Sequence, residues 1–215
     1  PSAADAGQAI VAMLERSKPF NHAEWLTEIQ SRKELHPVEM RYPGLTPQII
    51  IEKINKIFDN SIIVTDVGQN QLWCTQFLAL GTKRQMLTSG GLGTMGYGFP
   101  AALGAKLGNP DKNVLVITGD GGFQMNLQEL ATAVIEKIPV IICILNNGCL
   151  GNVRQWQEMF FEKRYSYTNL TNDSGSYVPD FVKFAESYGV TGIRITREEE
   201  IDEAFIKANK VKDCP

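Results

Sequence analysis

Two apolar runs, each ending on a polar, glycine-containing turn, constrain this chain more than any other feature. Residues 114–118 (Val-Leu-Val-Ile-Thr) run into Gly119-Asp120-Gly121-Gly122, and residues 139–145 run into Asn146-Asn147-Gly148. Between them Leu127, Leu130, Ala131, Val134 and Ile135 recur at helical spacing, which predicts a helix from about Asn126 to Lys137. Strand, helix, strand over this length is one βαβ unit, and its crossover makes the two strands parallel. Their carboxyl ends then share one edge of a buried sheet, where open α/β sheets take their ligands. Asp120 and Asn147, 27 positions apart, meet at that edge.

A carboxylate and an amide oxygen placed together suit Mg²⁺, which takes hard oxygen ligands at about 2.1 Å and shares its octahedron with phosphate oxygens and water. Asp120 supplies charge. Asn147 adds an oxygen without adding negative charge beside a diphosphate, and the backbone carbonyl of Cys149 completes a protein share of three. Gly121 and Gly122 let the backbone approach the phosphate, and the following helix points free N–H groups at it. The plainer reading is a capped strand-to-helix turn together with an unrelated Asn-Asn-Gly turn.

These residues resemble the cofactor motif of thiamine-diphosphate enzymes. The surrounding stretches are similar to the catalytic large subunits of acetohydroxyacid synthase, also called acetolactate synthase: Val67-Gly68-Gln69, residues 88–98 (Thr-Ser-Gly-Gly-Leu-Gly-Thr-Met-Gly-Tyr-Gly), Val153-Arg154-Gln155-Trp156-Gln157 and Arg164-Tyr165-Ser166. The likeness runs from about Pro43 to the end. It implies an α/β fold, a parallel sheet with helices on both faces, and residue roles as follows. Asp120, Asn147 and the Cys149 carbonyl hold Mg²⁺, Gln69, Asn70, Gly121 and Gly122 lie where the diphosphate is held, and Gly68, Gly119 and Gly151 are further cofactor-binding positions. The Gly93 carbonyl accepts a hydrogen bond from the aminopyrimidine, Met95 wedges the two cofactor rings into a V, and Met125 packs beside them. A thioether is also suited to filling gaps against rings on physical grounds.

In the family a tryptophan at the position of Trp156 stands over the active site and favours 2-ketobutyrate as second substrate. A flat apolar wall rewards one methylene by about 1–3 kcal/mol; a plain core or contact tryptophan is the other reading. Two positions depart from the pattern. Asn70 stands where a histidine is usual, and an amide can still donate to a diphosphate. Asn152 stands where a methionine commonly lines the substrate and inhibitor channel, which leaves acceptor preference and herbicide sensitivity open.

By the same resemblance the substrates are pyruvate with pyruvate or 2-ketobutyrate, joined with loss of CO₂ at the start of branched-chain amino-acid biosynthesis (isoleucine and valine). The complete enzyme also binds FAD and works as a homodimer or tetramer with the active site between subunits, where the partner's upstream domain brings the glutamate that activates thiamine. A small regulatory subunit belongs to the same picture, as does a cytoplasmic or plastid location. The isolated fragment is expected to be inactive.

Composition agrees. With 215 residues, 43% of them apolar, the chain can bury a full α/β core. A net charge of −3 without basic clusters argues against nucleic acid, and no apolar run reaches about 18 residues, which argues against a membrane span. Cys74, Cys143, Cys149 and Cys214 lack metal-type spacing, and His22 and His36 lie in polar surroundings. Residues 1–42 read as the tail of a preceding domain and a linker, with helices at 6–16 and around 26–35. Residues 43–215 read as the diphosphate-binding domain, cut short at its C-terminus. In it, Thr46-Pro47 caps a helix. A strand is expected at 61–65, helices at 70–79, 97–106, 177–188 and 198–209, and a late strand at 191–195. Two alternatives remain: another thiamine-diphosphate decarboxylase or oxidase, and a non-catalytic nucleotide-binding module. For the latter, Gly91-Leu92-Gly93-Thr94-Met95-Gly96 fits a dinucleotide string but lacks a long strand before it, and the place of the acidic ribose anchor about 20 residues on is filled by Asp111-Lys112 in a turn.

Overall fold

The computed structural model describes residues 5–18, 20–39, 42–81, 83–172 and 179–215. The chain divides into two compact units, Pro1–Glu39 and Met40–Pro215. The first holds α1 (Ala6–Arg16), capped by the Asp5 carboxylate, and α2 (Ala23–Leu35); neither buries a residue. His22 and His36 are exposed.

The second unit is built on a parallel sheet of four strands in the order β2-β1-β3-β4. These are β1 (Ser61–Thr65), β2 (Gln85–Leu87), β3 (Asn113–Gly119) and β4 (Ile141–Leu145). The central strands β1 and β3 are covered on both faces, so their sequences read as unbroken apolar runs rather than alternations. Successive side chains go to opposite sides. Ile62, Val64, Val114 and Val116 join one core with Phe99 and Leu103 of α5 (Gly98–Gly108) and Leu130 and Ala133 of α7 (Leu130–Ile135). Ile63, Leu115 and Ile117 join the other with Ile51 and Ile54 of α3 (Pro47–Ile57), Cys74 of α4 (Gln69–Phe77) and Phe205 of α10 (Ile201–Lys210). The expectation of helices on both faces holds.

A buried arginine closes the second core. Arg84, 7% exposed, donates to the carbonyls of Asn55, Phe58 and Ala79 and to the Asn55 side chain. A cation therefore serves free carbonyls at the ends of α3 and α4. Desolvation lowers its pKa, partly countered by Asp59.

Three expectations change. The helix read from Asn126 to Lys137 is a 3₁₀ turn (Leu127–Glu129) followed by the shorter α7, and a separate helix, α6 (Asp120–Met125), precedes it. Asn126 breaks the run because its amide turns out to donate to the Gly96 carbonyl at 2.8 Å. Gly121 and Gly122 consequently lie inside the first turn of α6, not ahead of a helix. Residues 191–195 form no strand: they line, opposite β4, a largely apolar cavity of about 920 Å³ and pair with nothing in the sheet. The helix expected at 177–188 is α9 (Phe181–Ser187), capped by Asp180; residues 177–178 lie outside the described residues. Among the described residues no helix is long and apolar enough to cross a membrane.

Candidate cofactor site

Strand order reverses direction between β1 and β3. The chain leaves β1 toward β2 on one side and leaves β3 toward β4 on the other, so the carboxyl ends of β1 and β3 form the topological switch point at which open α/β sheets have their ligand crevice. The residues singled out from the sequence lie at the end of β3 (Gly119), in the segments that follow the four strands, or, for Gly151, Asn152 and Trp156, on the helix that comes after β4.

Asp120 opens α6 at the end of β3 and is 1% exposed. Its two oxygens accept from the backbone N–H groups of Gly121 (3.0 Å) and Gly148 (2.7 Å) rather than from a basic side chain. Burial pushes its pKa up, and those N–H groups pull part of the way back. A desolvated carboxylate with only dipoles as partners is a place where a cation stabilises the charge.

Asn147 follows β4 and is exposed. Its Nδ2 donates to Oε1 of Gln69 at 3.2 Å, which turns its Oδ1 the other way, toward the N–H of Cys149 (3.2 Å). Cys149 is itself fixed: it bridges to Asn169, with Leu150 N–H on the Thr168 carbonyl and Leu170 N–H on the Gly148 carbonyl, both at 2.8 Å. Burial, reinforced by the charge of Asp120, raises the pKa of the Cys149 thiol, so it is not an activated nucleophile.

Beyond β1, Gly68 (φ +127°) leads into Gln69 and Asn70. Asn70 is 3% exposed; its Oδ1 has no partner and its Nδ2 reaches the Val67 carbonyl only at 3.4 Å. A side chain at Gly119 would meet that Nδ2 at 3.4 Å, and one at Gly151 would collide with the amide of Gln69. Met95 comes from the turn after β2. Its Cε lies 3.9 Å from where a Cβ on Gly121 would stand, so methionine and glycine face each other across the crevice. Gly93 is exposed in the same turn at φ +62°. Met125 is 52% exposed and packs over Gly96 (φ +85°), where any Cβ would stand 2.7 Å from that of Met125.

The donor set fits a hard divalent cation: a carboxylate, an amide oxygen and a peptide segment pinned beside them. The glycines fit a phosphate, and the orphaned amide of Asn70 is a buried polar group with bonding capacity to spare. No cluster of three or more His, Cys, Asp and Glu occurs among the described residues.

Trp156 stands apart. It lies on α8 (Gly151–Phe160), 59% exposed, edge-on to Phe160 at 5.5 Å. With Asn152, Val153, Gln157, Phe161, Arg164 and Ser166 it lines a hollow of about 550 Å³. The helix is tied to the crevice one residue earlier, where Gln155 accepts from Nε2 of Gln69 at 3.0 Å. Gln155, within a stretch that carried the resemblance but given no role of its own, and the buried Asp66, a lone carboxylate with no spacing pattern, both bond to segments of this crevice.

Comparison with known proteins agrees with this geometry. Residues 66–214 match the family model of the thiamine pyrophosphate enzymes' C-terminal TPP binding domain. The chain is 45% identical to the acetolactate synthase large subunit of Corynebacterium glutamicum, over 100% of its own length and 36% of that protein's. It is 43% identical to an acetolactate synthase of Mycobacterium bovis (90% of this chain, 32% of that one) and 44% identical to an acetolactate synthase large subunit of Cyanidium caldarium (82% and 30%). It thus spans about a third of the length of the relatives it matches. A parallel sheet with a cation-ready carboxylate at its carboxyl edge, covered by that match from Asp66 onward, belongs to the C-terminal TPP-binding domains of the thiamine pyrophosphate enzymes.

Proposed function

We propose that this chain is the diphosphate-binding part of an acetolactate synthase, which joins pyruvate to a second 2-keto acid, pyruvate or 2-ketobutyrate. The observation that carries the reading is the buried Asp120, bonded by the Gly121 and Gly148 N–H groups, beside Asn147 and the Gly121–Gly122 backbone at the β3–β4 edge. The names of the relatives supply the reaction.

In this reading Asp120, Asn147 and the Cys149 carbonyl hold Mg²⁺, and Gln69, Asn70, Gly121 and Gly122 hold the diphosphate. Gly93 and Met95 orient the rings. Thiamine diphosphate, when bound, supplies the electron sink for losing CO₂ from a 2-keto acid. The protein's share is positioning: the buried glycine backbone excludes water around the diphosphate, and the apolar wall at Trp156 selects the acceptor. Residues 1–42 belong to the end of a preceding domain. FAD, a cytoplasmic or plastid location, and pathway membership rest on the resemblance alone. A partner copy over the exposed Leu92, Trp156, Phe160 and Tyr167 is supported by their apolar character, and the "large subunit" names support a small regulatory companion.

Product analysis tests the proposal. The complete enzyme carrying this chain, given pyruvate, thiamine diphosphate and Mg²⁺, should form acetolactate, and acetohydroxybutyrate when 2-ketobutyrate competes. Acetaldehyde or acetate as the sole product would move it to the decarboxylases or oxidases.

A further inference from the structure

Asp66 is a carboxylate with 1% exposure at the end of β1, and none of the roles described above uses it. Its own N–H continues the sheet by donating to the Ile117 carbonyl of β3 at 3.0 Å. Its Oδ1 accepts from the N–H groups of Val67 (2.8 Å) and Gly96 (3.1 Å), and its Oδ2 from that of Gly98 (2.8 Å). Gly98 is the first residue of α5, whose preceding residue, Tyr97, gives the helix no side-chain cap. A side chain thirty-two positions upstream thus serves the donors at that helix end. Gly122 is pressed against the same carboxylate: a Cβ there would collide with Oδ1 and stand 2.8 Å from Cγ.

Three separate segments therefore meet on one buried group. The Val67–Asn70 segment carries Gln69 and Asn70, the turn that ends at Gly96–Gly98 carries Gly93 and Met95, and the start of α6 carries Asp120, Gly121 and Gly122. We propose that Asp66 is a positioning residue that sets the mutual register of these three cofactor loops, acting through Gly96, Gly98 and Gly122 without touching the cofactor. The proposal rests on the thiamine-diphosphate reading of the site. The carboxylate ties two of these segments by hydrogen bonds, its own through Val67 and the turn through Gly96 and Gly98, and holds the third by close packing against Gly122. Bonds to a carboxylate are roughly twice as strong as those to neutral acceptors.

The test is Asp66→Asn, which keeps shape but turns one acceptor into a donor facing N–H groups. Titration of the complete enzyme carrying this chain with thiamine diphosphate at saturating Mg²⁺ should show a dissociation constant raised by about 10-fold or more, with weaker induced circular dichroism from the bound cofactor. Ile54→Val trims the core elsewhere. This control should lower Tm yet leave affinity and dichroism unchanged, which separates positioning from general stability. Binding by Asp66→Asn within twofold of the unsubstituted protein overturns the proposal alone. Absence of binding by the unsubstituted protein overturns the cofactor reading with it. Should Asp66→Asn fail to fold, amide exchange in the unsubstituted protein decides. The Gly96 and Gly98 amides should exchange about 100-fold more slowly than that of Leu92 in the same turn; equal rates would overturn the clamp.

Discussion

The crevice at the ends of β1 and β3 and the helix α8 are joined by one side-chain bond, Gln69 to Gln155, yet they are built in opposite ways. In the crevice the polar groups are inside: Asp66, Asn70 and Asp120 are each at most 3% exposed, and backbone N–H groups surround both carboxylates. On α8 the apolar groups are outside: no residue of the helix is buried, and Trp156, Met159 and Phe160 are each about 60% exposed. The crevice is held by bonds within the protein, and a change at Asp66 there touches several segments at once. The helix face stands clear of both cores, so its residues can change with little cost to folding. Cofactor binding should thus be the rigid property of this chain and acceptor choice the adjustable one.

The largest expected effect breaks the crevice. Asp120→Asn should weaken Mg²⁺-dependent binding of thiamine diphosphate by more than about 100-fold, beyond the usual loss for a residue that only supports a ligand. Thermal melting without ligand should show stability equal to or above that of the unsubstituted protein, because a desolvated charge is gone. Calorimetry and a melting curve give both halves, and a large loss of unliganded stability would contradict the account.

Next is a buried charge outside the crevice. Arg84→Met strands the carbonyls of Asn55, Phe58 and Ala79 and should cost about 2–3 kcal/mol by denaturant titration. At a temperature where the variant is folded, its affinity for thiamine diphosphate should be unchanged; if it falls, burial of polar groups is not local in its effects.

Trp156→Leu sharpens the comparison from the other side. Unliganded stability should move by no more than about 0.5 kcal/mol, as for other exposed sites. Cofactor affinity should stay put, while preference for 2-ketobutyrate over pyruvate falls about tenfold in competition. The smallest effect lies away from both regions. Glu200 accepts from the Thr196 and Arg197 N–H groups and pairs with the Arg197 side chain, which holds its carboxyl down at about 2. Its folded value is depressed, so its stabilisation is present above the unfolded value of about 4.3 and lost as pH falls toward 2. Glu200→Gln should melt slightly below the unsubstituted protein at pH 6, with the gap closing toward pH 2.

The same contrast explains what the sequence disclosed. β1, β3 and β4 are visible as short β-branched runs because the sheet is covered on both faces, and the Asp120–Asn147 spacing is visible because one βαβ unit has a fixed length. β2 was missed, since three half-exposed residues at an edge carry no period. Residues 191–195 look like a strand but pair with nothing, because a strand needs a neighbour and alternation alone does not provide one. The break at Asn126 depends on a bond to Gly96, thirty residues away, which no local window contains. Asp66 stayed hidden for the same reason: its partners are backbone N–H groups of glycines, which leave no signature. Met95 was singled out through the family resemblance and the fit of a thioether to rings, whereas its approach to Gly121 needs the fold.

The most direct measurement is calorimetric titration of the protein with thiamine diphosphate in Mg²⁺, repeated after chelation with EDTA. Saturable binding with one site per chain that disappears on chelation is the predicted result. Binding of equal strength with EDTA present would contradict a metal bridge at Asp120 and Asn147, and with it the central reading of this site.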